Sequence, residues 1–210
     1  MTTNSTATAN VATPGISPIL TAAGSVDPWA MQRALMAASD QNLPSSPELN
    51  KGVLLYARLN LEEGSETLDG LQKALKRILA ADTVDSMPKD ERAALESIAL
   101  ELEDIFQAMK ASALRLKPLV SKLPDSFRQE LLREEVIEMA DGATDLTVTN
   151  SGFACALGID GAACYLDVGG SNLSKANPDD GKIHKEPDGK WIKDKRTYRE
   201  PNLAAVIYGT

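Results

Sequence analysis

The chain has 210 residues and a net charge of −8, which argues against binding nucleic acid or anionic lipid, because both need a basic face. It is 43% hydrophobic but only 4% aromatic, a composition that suits packed helices better than a β-sandwich. No run of about 18 apolar residues predicts a membrane span, and the start lacks the features of a secretory signal peptide. We therefore expect a cytoplasmic protein, or one exported without a cleavable signal peptide.

Residues 1–26 contain no charged side chain and are rich in Thr, Asn, Ser and Ala. We expect them to be disordered, because they bury too little apolar surface to offset the entropy of ordering. In composition the segment resembles the start of bacterial type III secretion substrates, which are delivered unfolded. That resemblance implies an exported bacterial protein, either an effector or a component of a secretion apparatus. The alternative is a flexible terminus without such a function.

Residues 27–142 carry helix signals and are predicted to form a helical domain. The first helix begins with Asp27 as N-cap and Pro28 in the first turn, where the missing N–H costs nothing. Pro44 is expected to close this helix. The next helix is expected to start at Ser46, again a cap residue followed by proline.

Two long runs of apolar residues follow, in which successive members are separated alternately by three and four positions. This spacing indicates helices packed at a shallow angle, as in a coiled coil. The linker at residues 81–88 is short, and short linkers join antiparallel neighbours. We therefore predict an antiparallel helical hairpin with arms of about 30 residues, or roughly 45 Å. The runs are Leu54, Ala57, Leu61, Gly64, Leu68, Leu71, Leu75 and Ile78, then Leu95, Ile98, Leu102, Ile105, Met109, Ser112 and Leu116.

Acidic residues concentrate on the part of both arms that lies away from the predicted turn. In the antiparallel register we expected, they form one acidic belt, which is a candidate docking surface for a basic protein partner. The alternative is an ordinary solvated face. The belt consists of Glu62, Glu63, Glu66, Glu101, Glu103 and Asp104.

A further helix is predicted after Pro124, ending before Gly142, which is a natural residue to follow a helix C-terminus. Residues 143–210 are richer in Gly, Asp, Asn and Pro, and we predict a small β-rich or irregular subdomain there. Residues 145–149 alternate as a strand does. Two short apolar runs around Asp160-Gly161 read as a hairpin. The end of the chain reads as a strand or a docked tail.

Cys155 and Cys164 both lie in this predicted β-hairpin. They are interpreted as buried structural thiols, as a disulfide between facing strands, or as a catalytic thiol. The catalytic interpretation needs His184, the only histidine, which sits in a charged segment poorly suited to orienting a base. There is no CxxC pair and no second histidine, so we predict no metal site and no cofactor.

The sequence thus predicts a mainly α fold, with a long antiparallel helical hairpin, flanking helices and a small C-terminal β or irregular subdomain. The function predicted is that of a non-enzymatic protein-interaction or assembly protein, acting through the acidic hairpin by self-association or by binding a partner helix. The first alternative is the exported bacterial protein, and the second is a cysteine-dependent enzyme.

Overall fold

The computed structural model describes residues 27–41, 44–81 and 87–209. The prediction for residues 1–26 therefore lies outside the described residues. Within the described part the chain is mainly α, as predicted, and no described helix has both the length and the apolar composition of a membrane span. In chain order its elements are α1 (Pro28–Ala38), β1 (Glu48–Asn50), α2 (Lys51–Leu79), α3 (Lys89–Lys122), β2 (Arg128–Glu130), α4 (Arg133–Ala156), α5 (Gly161–Leu173) and α6 (Leu203–Tyr208).

The chain divides into two compact units. The hairpin unit consists of residues 44–136 and 185–190. The described residues of the terminal unit are 27–41, 137–184 and 191–209.

The hairpin unit is built on α2 and α3, which pack against each other as an antiparallel pair. This confirms the predicted helical hairpin. The N-cap of α2 is Asn50 rather than the predicted Ser46, because the Asn50 side-chain oxygen accepts a hydrogen bond from the Val53 N–H at 3.1 Å. Cap hydrogen bonds of this kind satisfy the otherwise unpaired amides of the first turn.

The two short strands, β1 and β2, pair antiparallel, with Leu49 opposite Gln129. An ion pair reinforces the register, since Arg128 Nε lies 2.7 Å from Glu48 Oε1. β1 precedes α2 and β2 follows α3, so the sheet ties together the ends of the two arms that lie away from the turn.

The helix predicted between Pro124 and Gly142 is wrong at both ends. Residues 128–130 are used by β2, so α4 begins only at Arg133. The helix then continues through Gly142 to Ala156.

The strand predicted at residues 145–149 is also wrong, because this stretch lies inside α4. Its threonines satisfy their hydroxyl groups within the helix. Thr147 Oγ1 donates to the Ala143 carbonyl at 3.0 Å, and Thr149 Oγ1 donates to the Asp145 carbonyl at 2.9 Å. This back-bonding lets a β-branched polar residue occupy a helix interior.

The predicted β-hairpin around Asp160-Gly161 is wrong as well. Asp160 acts as the N-cap of α5, accepting the Ala163 N–H at 3.0 Å, and the chain on either side is helical. The chain end forms α6, capped by Asn202, rather than a strand. Residues 174–202 contain no regular element longer than one residue. Of the two alternatives predicted for the C-terminal region, β-rich or irregular, this segment is irregular.

The core of the terminal unit lies where α1 packs on α5. Met31 and Leu35 of α1 are buried together with Ile183. The N-cap of α1 is Asp27, as predicted, since its carboxylate accepts the Trp29 N–H at 2.9 Å. Gly169 of α5 permits close packing, because a Cβ there would lie only 2.5 Å from Met31 Cε.

Candidate interaction surfaces

The contact line between α2 and α3, here called the seam, buries polar side chains. On each helix its residues recur every seven positions, which is the spacing expected of an antiparallel coiled-coil pair. Small side chains on α3 leave room for the longer polar ones on α2. The buried residues that follow this repeat are Arg58, Ser65 and Gln72 on α2, and Ala99, Phe106, Ala113 and Val120 on α3; Leu55 of α2 is buried as well.

The polar seam residues find partners near the contact line. Gln72 Nε2 donates to Glu103 Oε2 at 2.8 Å, and Arg58 Nη1 donates to Glu62 Oε2 at 2.8 Å. Ser65 Oγ donates to the Glu62 carbonyl at 2.6 Å. These hydrogen bonds offset part of the cost of burying polar groups between two helices.

The predicted apolar stripes flank the seam on one side, where most of their residues are partly buried and a few large ones are exposed. Leu71 directly precedes Gln72, and Ile105 directly precedes Phe106. Consecutive helix residues are about 100° apart around the axis. A stripe residue that comes directly before a seam residue in the chain therefore points to one side of the contact line. The apolar face is defined by large side chains between 36% and 57% exposed that belong to a predicted stripe or directly precede a seam residue. It consists of Leu71, Ile78, Ile98, Ile105 and Leu119.

The apolar face occupies one side of the hairpin, because residues that precede the seam on two antiparallel helices fall on the same side. Gly64 belongs to that side, and a Cβ on it would lie 2.7 Å from Met109 Cε. The opposite side is charged. It is marked by Lys76 Nζ, which lies 2.8 Å from Glu103 Oε2. The two sides of the hairpin therefore differ sharply in chemistry.

A shallow groove of about 180 Å³ runs along the charged side. Its lining mixes basic and acidic side chains, so it does not select a ligand of one sign. Arg58 Nε and Nη2 are buried and have no hydrogen-bond partner among the described residues. The groove is lined by Arg58, Glu62, Ser65, Glu66, Asp69, Phe106, Lys110, Ala113, Leu114, Lys117 and Lys190.

Asp188 is buried against Arg58 and ties residues 185–190 to the hairpin. Its Oδ2 lies 3.9 Å from Arg58 Nη2 and 3.4 Å from Lys117 Nζ, while its Oδ1 accepts the Lys190 N–H at 3.1 Å. Desolvation opposes ionisation of Asp188, but the Lys190 N–H and the Lys117 ammonium outweigh it. The pKa of Asp188 is therefore lower than usual, and the carboxylate is charged at neutral pH.

The acids of the predicted belt have different surroundings, and their action as one docking surface stays a prediction. Glu103 lies beside Gln72 and Lys76, and the Lys76 ammonium holds the pKa of Glu103 below its usual value. Gly64 instead lies beside Met109, so the acids of α2 are displaced along the hairpin from those of α3. Glu62 pairs with Arg58 and Lys190, and Glu66 borders the groove, whereas Glu63, Glu101 and Asp104 are exposed.

Helix α4 presents a second apolar surface. It has no buried residue over its 24 positions, and every side chain from 137 to 153 is exposed. Its exposed large hydrophobic residues include Ile137, Met139, Leu146 and Val148.

The two cysteines are free thiols on different helices. Cys155 is exposed near the end of α4, and Cys164 is partly buried in α5. The facing strands on which the predicted disulfide depended do not occur, and the expectation that both thiols are buried is wrong for Cys155. His184 Nε2 lies 2.9 Å from Asp180 Oδ2, so its partner is a carboxylate.

Metal-binding clusters of His, Cys, Asp and Glu are absent from the part of the chain that the structure describes. Comparison with known protein families, with characterised proteins and with solved structures gave no match. The function must therefore be argued from these surfaces alone.

Proposed function

We propose that this protein is a non-enzymatic interaction or assembly protein, and that its hairpin unit binds a second copy of the chain through the apolar face. The observation that carries the proposal is the displacement of the apolar stripes from the seam. Arg58 is buried between the arms while Leu71 and Ile105 remain in water. A contiguous exposed apolar patch of this kind typically marks an interaction site.

A second copy fits this face because the face is two helices wide and runs along arms of 29 and 34 residues. Two such hairpins packed face to face form a four-helix bundle, a common arrangement for amphipathic hairpins. A two-fold axis makes the same patch complementary to itself. Covering the apolar face on both copies buries on the order of 1,000 Å², which is enough for a specific contact.

The test is the molar mass in solution, measured by size-exclusion chromatography with light scattering over a range of concentrations. Ile105→Glu places a charge in the proposed contact and is expected to lower the mass. Leu114→Glu is the matched control. Leu114, like Ile105, is an exposed aliphatic side chain of the same size on α3, but it borders the charged groove. It should leave the mass unchanged.

Equal masses for the two variants would contradict the proposal, whatever the mass of the unmodified chain. If Ile105→Glu has no effect on mass, a helix of another protein becomes the remaining occupant of the apolar face.

Both cytoplasmic location and export stay predictions, and comparing secretion of the full chain with that of a chain lacking residues 1–26 separates them.

A further inference from the structure

Helix α4 has a repeat of its own that the hairpin does not use. Apolar residues recur along it at alternating intervals of four and three, the spacing of a coiled-coil heptad. One position of the repeat is polar, Asn150. The α4 stripe consists of Val136, Met139, Ala143, Leu146, Asn150 and Phe153 within the helix, together with Leu132 and Leu157, which continue the spacing just outside its two ends.

The composition of α4 is poor for a helix that stands alone. Gly142 and Gly152 lie within it, and Thr144, Thr147 and Thr149 are β-branched; both residue types disfavour an exposed helix. Isolated helices are marginal in water even when rich in alanine, and most helices in proteins gain their stability by packing an apolar face. No residue of α4 is buried by the described part of the chain, so its stripe has no cover there.

We propose that α4 pairs with α4 of a second copy as a parallel two-stranded coiled coil. Asn150 favours this occupant. In the heptad it takes the a position, where an asparagine is matched by the same residue of a parallel partner and specifies a dimer in one register. In another register it faces an apolar side chain and loses its hydrogen bond.

The charges of α4 fit this pairing. Glu134, Glu138, Asp141 and Asp145 occupy heptad positions that point away from a partner, and Glu135 is already engaged, since its Oε2 accepts the Leu132 N–H at 2.9 Å. The positions that flank the stripe from residue 140 onward are small and uncharged, so two helices can approach without desolvating a charge. These flanking residues are Ala140, Gly142, Thr147, Thr149, Ala154 and Ala156.

The area available also suits a dimer. The large side chains of the stripe are roughly half exposed, for example Leu146 at 52% and Leu157 at 58%. Together with the flanking residues, two copies bury about 1,000 Å² in total, close to the lower limit for a specific contact. We therefore expect an association that depends on concentration.

The decisive comparison uses two neighbours on α4. Leu146 lies in the stripe, whereas Val148, which is 63% exposed, points away from it. Both are changed to Glu in the Ile105→Glu background, so the apolar face of the hairpin does not contribute to the mass. Ile105→Glu alone and Ile105→Glu with Val148→Glu should have twice the monomer mass of 22.4 kDa. Ile105→Glu with Leu146→Glu should be monomeric.

Equal masses for the Leu146 and Val148 variants would overturn the α4 contact without touching the hairpin proposal. Conversely, a dimer that Leu146→Glu abolishes but Ile105→Glu does not affect would support α4 and contradict the hairpin proposal. The two outcomes are therefore distinguishable. Loss of helix in α4 for general reasons would affect both α4 variants alike, since each adds one carboxylate to the same exposed helix.

Orientation is tested by cross-linking in a chain with Cys155→Ser and Cys164→Ser. In the parallel pair, Met139→Cys meets its own copy, and diamide oxidation should give a covalent dimer, because the two thiols come within bonding range. An antiparallel pair over the same span would place residue 139 opposite residue 150. In that case a mixture of Met139→Cys and Asn150→Cys chains would cross-link and Met139→Cys alone would not, which would overturn the parallel arrangement.

Discussion

The hairpin and α4 are both long helical segments with seven-residue repeats, but among the described residues only the hairpin helices are buried against a partner. In the hairpin, α2 and α3 bury each other along the seam, and the helix is held by that contact. In α4 no residue is buried. The comparison teaches that a heptad repeat indicates that a helix needs a neighbour, but does not specify whether that neighbour belongs to the same chain.

The hairpin differs from α4 in a second way, because its seam buries polar side chains of α2 against apolar ones of α3 while several large apolar residues stay exposed beside it. Arg58, Ser65 and Gln72 are buried, while the apolar stripe residues that precede the seam are exposed. An apolar seam alone would let the arms slide or rotate, since apolar contacts are not directional. The hydrogen bond between Gln72 and Glu103 and the ion pair between Lys76 and Glu103 fix the register, which frees the apolar face for another contact.

The largest predicted effect is a difference in unfolding free energy between two phenylalanine substitutions, one in the hairpin and one in α4. Phe106 is buried in the seam and is 7% exposed, whereas Phe153 of α4 is 39% exposed. Phe106→Ala should lower the free energy of unfolding of the hairpin unit by about 3 kcal/mol, because it leaves a cavity between two helices. Phe153→Ala should change the stability of the dilute protein by less than about 0.5 kcal/mol.

Urea titration followed by far-ultraviolet circular dichroism, at concentrations where the chain is monomeric, measures both values. Equal losses of stability would mean that α4 is packed as tightly as the seam, and the comparison would fail. A small loss for Phe106→Ala alone would mean that the seam relaxes to fill the cavity.

An intermediate effect is expected from the charge that holds residues 185–190 on the hairpin. Asp188→Asn should destabilise the protein by about 2 kcal/mol at pH 7, because it removes the buried carboxylate that faces Arg58 Nη2 and Lys117 and leaves Glu62 as the remaining carboxylate beside Arg58. The pKa of Asp188 is lowered in the folded chain, so its stabilising contribution is present above the unfolded pKa near 3.9 and is lost as the pH falls further.

Urea midpoints measured between pH 7 and pH 2 test this contribution. The unmodified chain and Asp188→Asn should differ at neutral pH and converge at acidic pH. A constant difference across the range would mean that the substitution acts through packing rather than through the charge. Glu63→Gln is a suitable control because Glu63 is exposed on the same helix as Arg58.

Much of the fold follows from local signals in the sequence. Asp27 with Pro28 marks the start of α1, and the three–four spacing predicts the hairpin. The burial of Arg58 does not follow from such signals, because its carboxylate neighbour, Asp188, is 130 positions away in the chain. The register of the two arms does not follow from local signals either, since it depends on side-chain contacts such as Gln72 with Glu103 that spacing alone does not reveal.

Helix α4 was mispredicted because two local signals favoured another structure. Gly142 is typical of a helix end, and the alternation at residues 145–149 is typical of a strand. The longer signal was present, since the repeat continues through Ala143, Leu146, Asn150 and Phe153. A repeat sustained over three heptads is therefore a stronger indicator of secondary structure than five alternating residues. Asp160 was similarly ambiguous, because Asp-Gly serves both as a turn and as the start of a helix.

The smallest predicted effects come from two glycines that would accept a side chain without a clash. A Cβ at Gly70 of α2 or at Gly142 of α4 would meet nothing within 4 Å. Alanine is favoured over glycine in a helix by about 1 kcal/mol. In the hairpin the helix is already formed, so Gly70→Ala should raise the free energy of unfolding by up to about 1 kcal/mol.

In α4 a glycine-to-alanine substitution should change the affinity of the dimer rather than the free energy of unfolding, because we expect helix formation there to be coupled to pairing. Gly142→Ala should leave the urea midpoint of the hairpin unit unchanged and strengthen dimer formation on the order of tenfold, since both helices of the pair gain. Sedimentation equilibrium of the Ile105→Glu background with and without Gly142→Ala measures the dissociation constant. An unchanged constant would mean that α4 is equally helical in the monomer and the dimer, and that its stability does not depend on a second copy.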